Sequence, residues 1–228
     1  MDIGFDIISD LYLEPDESFN WENKATSLYC LIPGNVSSNP RTLIQTLIHL
    51  SKNYLGVFYI PGPYDVIHKE YHIYCKLIGS SLQHTQNITL LYNNVVVLNG
   101  IAIVGVNGWI GDVFEYDAEE AGQLANNDLL YLRETLIKLT RHVDVKKIIM
   151  LSSTVPNKQM YFGEEPEILN HQLPLQTALT YDSEFKTTNW CFGNSNKKVD
   201  TFVEGVHYVS NPYLKQKPYY AKRITIDI

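Results

Sequence analysis

Polar side chains gather in five short segments, each close to the end of an apolar run. They are Ser9-Asp10-Leu11-Tyr12, Pro33-Gly34-Asn35, Pro61-Gly62-Pro63-Tyr64-Asp65, Leu151-Ser152-Ser153-Thr154-Val155-Pro156 and Trp190-Cys191-Phe192-Gly193-Asn194-Ser195-Asn196. Apolar runs that stop this way read as buried strands, and the loops beyond strand ends are where chemistry is usually carried. Their side chains are the carboxylates of Asp10 and Asp65, the carboxamides of Asn35, Asn194 and Asn196, the phenols of Tyr12 and Tyr64, and the hydroxyl of Ser153. That set suits hydrogen bonding better than it suits a divalent ion, which wants several carboxylates or neutral imidazoles. A phenol, with a pKa of about 10, is a poor ligand near neutral pH. Asp10 alone is therefore expected to accept hydrogen bonds rather than to hold a cation. Tyr12, Asn35, Tyr64, Ser153, Asn194 and Asn196 either satisfy one another as a closed network or form a neutral polar pocket for a nucleotide or another small ligand.

Two further groups have suggestive spacing. His68, His72 and Cys75 fall at i, i+4 and i+7 of a helical stretch, as zinc ligands can. No fourth ligand accompanies them, and a partly buried helix face is the simpler reading. Tyr213, Tyr219 and Tyr220 cluster near Pro212 and Pro218 in a chain with 16 tyrosines. Tyrosine offers a large area with a polar tip, so this cluster is a candidate partner-binding surface, although half-buried strand positions also favour it.

The elements that must position these loops follow from periodicity. Short apolar runs at 4–8, 28–32, 57–60 and 148–151 read as buried strands, the second and third stopped by Pro-Gly. Helical spacing of leucines marks 41–54, entered by Pro40, and 118–142; a further helix is expected over 66–82. Asn99-Gly100 between the runs 95–98 and 101–104 is a hairpin signal, because a type I′ turn needs positive φ at both central residues. Strands are expected again at 190–192, 199–203, 206–209 and 223–228, with Glu204-Gly205 as a turn. Alternation of strand and helix implies an α/β fold with parallel pairing. No repeat, low-complexity stretch or Pro/Gly/Ser linker interrupts the chain, so residues 1–228 are expected to form one domain.

Taken in order, the five segments resemble the motifs of calcineurin-like metallophosphoesterases over nearly the whole chain. The resemblance implies a four-layer α/β/β/α sandwich with two mixed β-sheets and a two-metal centre on loops at strand ends, in which paired ions clamp a phosphate and generate hydroxide. It also implies which residues should stand there. The first motif is Asp-x-His; here it is Asp10-Leu11-Tyr12. The bridging Asp of Gly-Asp is Asn35. Gly-Asn-His-Asp/Glu becomes Gly62-Pro63-Tyr64-Asp65, so Pro63 removes a ligand and Tyr64 takes the place of the His that assists the leaving group. In the fourth and fifth motifs Ser153, Asn194 and Asn196 stand where imidazoles belong. Of seven ligands only Asp10 is kept, while the flanks Trp190–Gly193, Lys198-Val199-Asp200 and Tyr208–Pro212 still resemble the pattern.

The expected function is accordingly a catalytically inactive metallophosphoesterase-like protein acting as a protein-interaction or structural module, with no metal and no cofactor. Two alternatives stay open: a remodelled, metal-independent phosphoesterase with Tyr64 as acid oriented by Asp65, and a nucleotide or phosphate sensor without turnover. Composition narrows the partners. The formal net charge of −7 and the lack of any large basic cluster argue against nucleic acid. No apolar run is long enough to span a bilayer, and the start of the chain carries no secretory signal. Cys30, Cys75 and Cys191 are odd in number and widely spaced, which suits a reducing, cytoplasmic setting and a protein partner there. Small size and a composition rich in Asn, Ile, Lys and Tyr suggest a bacterial or phage source.

Overall fold

The computed structural model describes residues 2–66, 70–109, 118–162, 174–215 and 218–228. Among these residues, eleven strands form two sheets, flanked by three α-helices. The first sheet holds β1 (Asp2–Ile7), β2 (Tyr29–Pro33), β3 (Gly56–Ile60), β4 (Ile88–Leu90) and β11 (Lys222–Asp227), in the order β11-β1-β2-β3-β4. The second holds β5 (Asn94–Leu98), β6 (Ile101–Val106), β7 (Lys147–Ser152), β8 (Thr187–Phe192), β9 (Val199–Val203) and β10 (Val206–Ser210), in the order β5-β6-β7-β8-β10-β9. Each sheet has a parallel centre: β1-β2-β3-β4 in the first and β6-β7-β8-β10 in the second. Antiparallel β11, β5 and β9 close their edges.

Period-two alternation sorts the strand residues into layers. Phe5, Ile7, Leu31, Phe58, Ile60, Ile103, Ile149, Leu151 and Cys191 fill the space between the sheets. The intervening residues Cys30, Ile32, Val57 and Tyr59 face outward onto α1 (Pro40–Ser51) and α2 (Tyr71–Leu82). On the far side Ala102, Val104, Ile148, Met150, Trp190 and Phe192 pack with Leu132, Leu136 and Leu139 of α3 (Ala118–Arg141). The result is the expected α/β/β/α sandwich.

Local signals act as their chemistry dictates. Asn39 caps α1 by accepting from Thr42 N–H, with Pro40 at the first helical position. Asn99 and Gly100 take φ of 47° and 83°, the left-handed pair that the β5–β6 hairpin requires. Glu204 and Gly205 do the same between β9 and β10. One expectation needs correction, and one strand was not expected. Of the helix expected over 66–82, residues 71–82 form α2 and Val66 belongs to a 3-10 turn over Pro63–Val66, while 67–69 lie outside the described residues. The three-residue β4 carried too little apolar sequence to be read as a strand.

Candidate functional site

The five loops meet at the carboxyl ends of β1, β2, β3, β7 and β8. Backbone pairing continues past the strands: Asp10 N–H donates to Gly34 O, Tyr12 N–H to Asn35 O and Leu13 N–H to Val36 O. Loops from both sheets are drawn into close contact by glycines. A Cβ on Gly62 would lie 2.4 Å from Asn35 Oδ1, and one on Gly193 would lie 2.1 Å from Pro33 O. No larger residue fits at either point.

At the centre, Asp10 Oδ1 accepts from Asn35 Nδ2 at 2.7 Å and from Asn194 N–H at 2.9 Å. Asn35 is used at every polar group. Its side-chain Oδ1 accepts from Tyr64 N–H at 3.0 Å, and its own N–H donates to Asp65 Oδ2 at 2.9 Å. Because one amide end meets a carboxylate and the other meets a backbone donor, the network fixes the orientation of this carboxamide. Burial dominates the Asp10 carboxyl and raises it to about 6, opposed by the hydrogen bonds from Asn35 and Asn194. Asp10 Oδ2 and Asn194 Nδ2 are buried and make no hydrogen bond of good geometry among the described residues.

Asp65 has a different task from the one expected. Its Oδ1 accepts from Val36 and Ser37 N–H, and its Oδ2 from Asn35 N–H, Gly62 N–H and the Tyr59 hydroxyl. Both oxygens are thus spent on gathering the loops after β2 and β3. The expected orientation of a Tyr64 acid by Asp65 is corrected accordingly: the buried carboxylate is an architectural hub. Burial raises it to about 6, against the lowering by these donors, so it is mainly ionised at neutral pH.

Tyr12 and Tyr64 meet edge to face, with ring centroids 5.0 Å apart. Burial, then the nearby Asp10 and Asp65, push the Tyr12 phenol well above its usual range, so it is a neutral group. Pro63 is buried at the start of the 3-10 turn. Ser153 Oγ turns away from the centre and donates to Asn107 O at 2.9 Å. Asn194 is buried beside Asp10, whereas Asn196 is exposed at the rim. Five of these positions (Asp10, Tyr12, Asn35, Asn194 and Asn196) sit at positive φ, between 47° and 58°. Asn and Asp accept that left-handed geometry better than most residues; Tyr does not, and backbone strain of this kind collects at functional sites.

Asn107 was missed by the sequence reading. It joins three loops: Nδ2 donates to Pro61 O, its carbonyl accepts from Ser153 and Thr154, and its Oδ1 accepts from Trp109 N–H. Asp128 on α3 holds the same loop by accepting from Gly108 N–H and Asn93 Nδ2, and burial raises its carboxyl to about 6. The only available signal was an Asn-Gly after a strand-like run, which by itself means a turn.

The tyrosine cluster is corrected in part. Tyr213 and Tyr219 are buried, in edge-to-face contact with each other and with Phe19. Tyr219 donates to Asn211 O at 2.6 Å, and Asn211 in turn donates to Ile7 O, so these rings brace the Asp10 loop from below. Of the three, only Tyr220, 66 % exposed, is available to a partner. On α2, His72 points to solvent and pairs with Glu70, while Cys75 is buried, so the two do not share a face. His68 lies outside the described residues.

The resemblance read from the five segments implies a two-metal centre, and the residues present do not fit one. The donor set facing the centre holds one carboxylate, Asp10, and the N–H end of Asn35 is directed at that carboxylate, where a cation would need an acceptor. The Ser153 hydroxyl is committed to backbone. Among the described residues no three His, Cys, Asp or Glu side chains form a metal-binding group. At this centre Asp10 Oδ2 and the neighbouring Ser9 Oγ are buried without a hydrogen bond of good geometry among the described residues, and one carboxylate oxygen with one hydroxyl falls short of the ligand set a divalent ion needs.

Comparison with solved structures defines the class of fold. A phosphopantetheinyl hydrolase from Mycobacterium tuberculosis superposes with a TM-score of 0.70 at 13% identity, over 98% of this chain and 96% of that one. A chain assigned as a 5′-nucleotidase from Staphylococcus aureus, crystallised with α-ketoglutarate, gives 0.60 at 12% identity, over all of this chain (100%) and 51% of that one. GAP50, described as the anchor in the inner membrane complex of Plasmodium, gives 0.55 at 10% identity, over 92% of this chain and 71% of that one. The fold is therefore that of the calcineurin-like metallophosphoesterases. No protein-family model matches the sequence, and no curated protein matches it by sequence.

Proposed function

We propose that this chain is a catalytically inactive metallophosphoesterase-like protein that serves as a structural or protein-interaction module. The observation that carries the reading is the Asp10–Asn35–Asn194 cluster: amide donors occupy the carboxylate where the chemistry of the fold would need a cation. The rest of the molecule supports it. Sheet alternation, caps and hairpin turns all agree with one fold, so the scaffold is locally consistent where the metal set is missing. A structural neighbour described as an anchor gives a precedent of kind, by analogy alone. The partner is a protein rather than nucleic acid, given the net charge of −7. Among the described residues no helix is long and apolar enough to cross a membrane. Three unpaired, buried cysteines fit a cytoplasmic setting, and a phage or bacterial source would place the module in that compartment.

The test is metal content with turnover. The untagged protein is equilibrated with excess manganese, zinc or iron, freed of unbound metal, counted by mass spectrometry and assayed on phosphate mono- and diesters. Substoichiometric metal and no hydrolysis above buffer are expected. A full dinuclear complement, or hydrolysis abolished by chelator, overturns the reading.

One observation favours a second reading, a sensor that binds without turnover. Asp10 Oδ2 and Asn194 Nδ2 give the site an unused acceptor and an unused donor. Thermal shift with nucleotides and inorganic phosphate separates the two: saturable stabilisation, lost in Asn194→Ala, supports the sensor.

A further inference from the structure

Asn35 lies between two buried carboxylates that belong to different loops. Its side chain donates to Asp10 Oδ1 at 2.7 Å and its backbone donates to Asp65 Oδ2 at 2.9 Å. The opposite end of its carboxamide accepts from Tyr64 N–H at 3.0 Å, and its carbonyl accepts from Tyr12 N–H at 3.0 Å. One neutral side chain therefore links the loops after β1, β2 and β3. An acid of the same shape at this position would set a second carboxylate against Asp10 at hydrogen-bond distance. Two like charges that close inside a protein need a counter-ion or a proton between them.

We propose that the Asn35 carboxamide is a built-in replacement for a bridging cation, so that the loop cluster keeps its phosphoesterase geometry with no metal bound. Polarity matters more than shape here. The pair needs one carboxylate and one amide, and the natural order has the added use that Asp10 Oδ1 also accepts from Asn194 N–H. With Asp10→Asn and Asn35→Asp made together, the pair is reversed. The new amide on the first loop would donate through its Nδ2 to the new carboxylate on the second, but Asp10 Oδ1 is also the atom that accepts from Asn194 N–H, so the exchange gives up that second contact. That new carboxylate would still accept from Tyr64 N–H. Asn and Asp both tolerate the positive φ that these positions adopt, 54° at Asp10 and 58° at Asn35, so the exchange adds no new backbone strain.

Thermal unfolding of the whole chain tests this with three proteins: the natural sequence, Asn35→Asp, and the double variant Asp10→Asn/Asn35→Asp. Each is melted with EDTA and with excess manganese. The natural protein should melt at the same temperature in both. Asn35→Asp in EDTA should lose roughly 5–10 °C, a change of the size expected for loss of a buried charge-assisted hydrogen bond in a chain this long. The double variant in EDTA should melt measurably above Asn35→Asp, recovering part of that loss, since the pair regains a donor while Asn194 N–H gives up its acceptor. The proposal is overturned if manganese raises the melting temperature of the natural protein, if Asn35→Asp melts like the natural protein, or if the double variant is no better than the single one. Should Asn35→Asp fail to fold, the double variant must fold; failure of both also overturns it. The inference shares with the proposed function only the premise that the site works without metal. A metal-free protein that hydrolyses phosphate esters but shows the rescue would sink the function and keep the inference, and an inert protein without the rescue would do the reverse.

Discussion

Asn35 Nδ2 stands 2.7 Å from Asp10 Oδ1 and is held there from behind by Tyr64 N–H. The carboxylate that the sequence reading kept as a lone surviving ligand is thus, through its Oδ1, the acceptor of an amide hydrogen-bond network. Its partner is the residue that stands where the resemblance implies a bridging acid.

Asp65 is the strongest structural dependency of the site. Removing its carboxylate in Asp65→Ala strands backbone donors at Asn35, Val36, Ser37 and Gly62. Each buried donor left unmet costs about 1–3 kcal/mol. Even partial loss is a large share of the total stability of a domain, which is about 5–15 kcal/mol. Urea denaturation should show Asp65→Ala at the edge of unfolding. Tyr59→Phe, which removes only one of the donors to this carboxylate, should cost about 1 kcal/mol. Equal, small losses for both would mean that the loops close without the hub.

Three buried acids give the pH dependence its sign. Burial raises Asp10, Asp65 and Asp128 from 3.8 to about 6 in the folded chain. Between those values the folded state binds more protons than the unfolded state, so stability grows as pH falls from 7 through about 6, is fully gained below 3.8, and is lost again as pH rises. Asp200 has the opposite sign: the hydrogen bond from Lys222, with His207 assisting, holds it low, and its contribution is lost only on stronger acidification. The urea midpoint should therefore be higher at pH 5 than at pH 7. A shift of this size is worth up to about 3 kcal/mol per group. Asp128→Asn, outside the loop centre, should show a smaller rise between the two pH values than the natural protein. A midpoint that falls from pH 7 to pH 5 would contradict the burial-dominated shifts.

The C-terminal tyrosines divide by burial. Tyr219→Phe loses the hydrogen bond to Asn211 O, and Tyr219→Ala also empties a site between Phe19 and Tyr213. Costs of about 1 kcal/mol for the first and about 3–5 kcal/mol for the second are expected in chemical denaturation. Tyr220→Ala, at an exposed position, should stay within about 0.5 kcal/mol of the natural protein. A large loss for Tyr220→Ala would show that this ring packs against more than solvent.

The sandwich was legible because its strands alternate in period two and its helices repeat leucines, and both signals are local. Asn99-Gly100 and Pro40 were legible for the same reason: a turn and a helix start each need particular residues on the spot. The site was legible in membership and less so in roles. Asp10, Asn35 and Asn194 do converge, but nothing in the order of residues says that Asn35 points its donor end at Asp10, since that depends on Tyr64 N–H arriving from another loop. Asp65 and Tyr219 were assigned to chemistry and to a surface because both residue types serve there often. Their burial depends on contacts from segments 28 and more residues away, such as Ser37 and Phe19, which local pattern cannot report.

Recovery of the missing centre is the most demanding prediction. The variant carries Tyr12→His, Asn35→Asp, Pro63→Asn, Tyr64→His, Ser153→His, Asn194→His and Asn196→His, and keeps Asp10. Backbone geometry favours success at four of these places: Tyr12, Asn35, Asn194 and Asn196 already hold φ between 47° and 58°, and Asp and His enter that region more readily than most residues. Ser153 is the weak point, because its side chain is turned toward Asn107 O and an imidazole there must swing toward the centre. Metal counting by mass spectrometry should give stoichiometric manganese in the variant and not in the natural protein, with a melting temperature that now depends on chelator. A folded variant that stays metal-free would show that the loops have drifted from the spacing a dinuclear centre needs, even though their backbone twist has been kept.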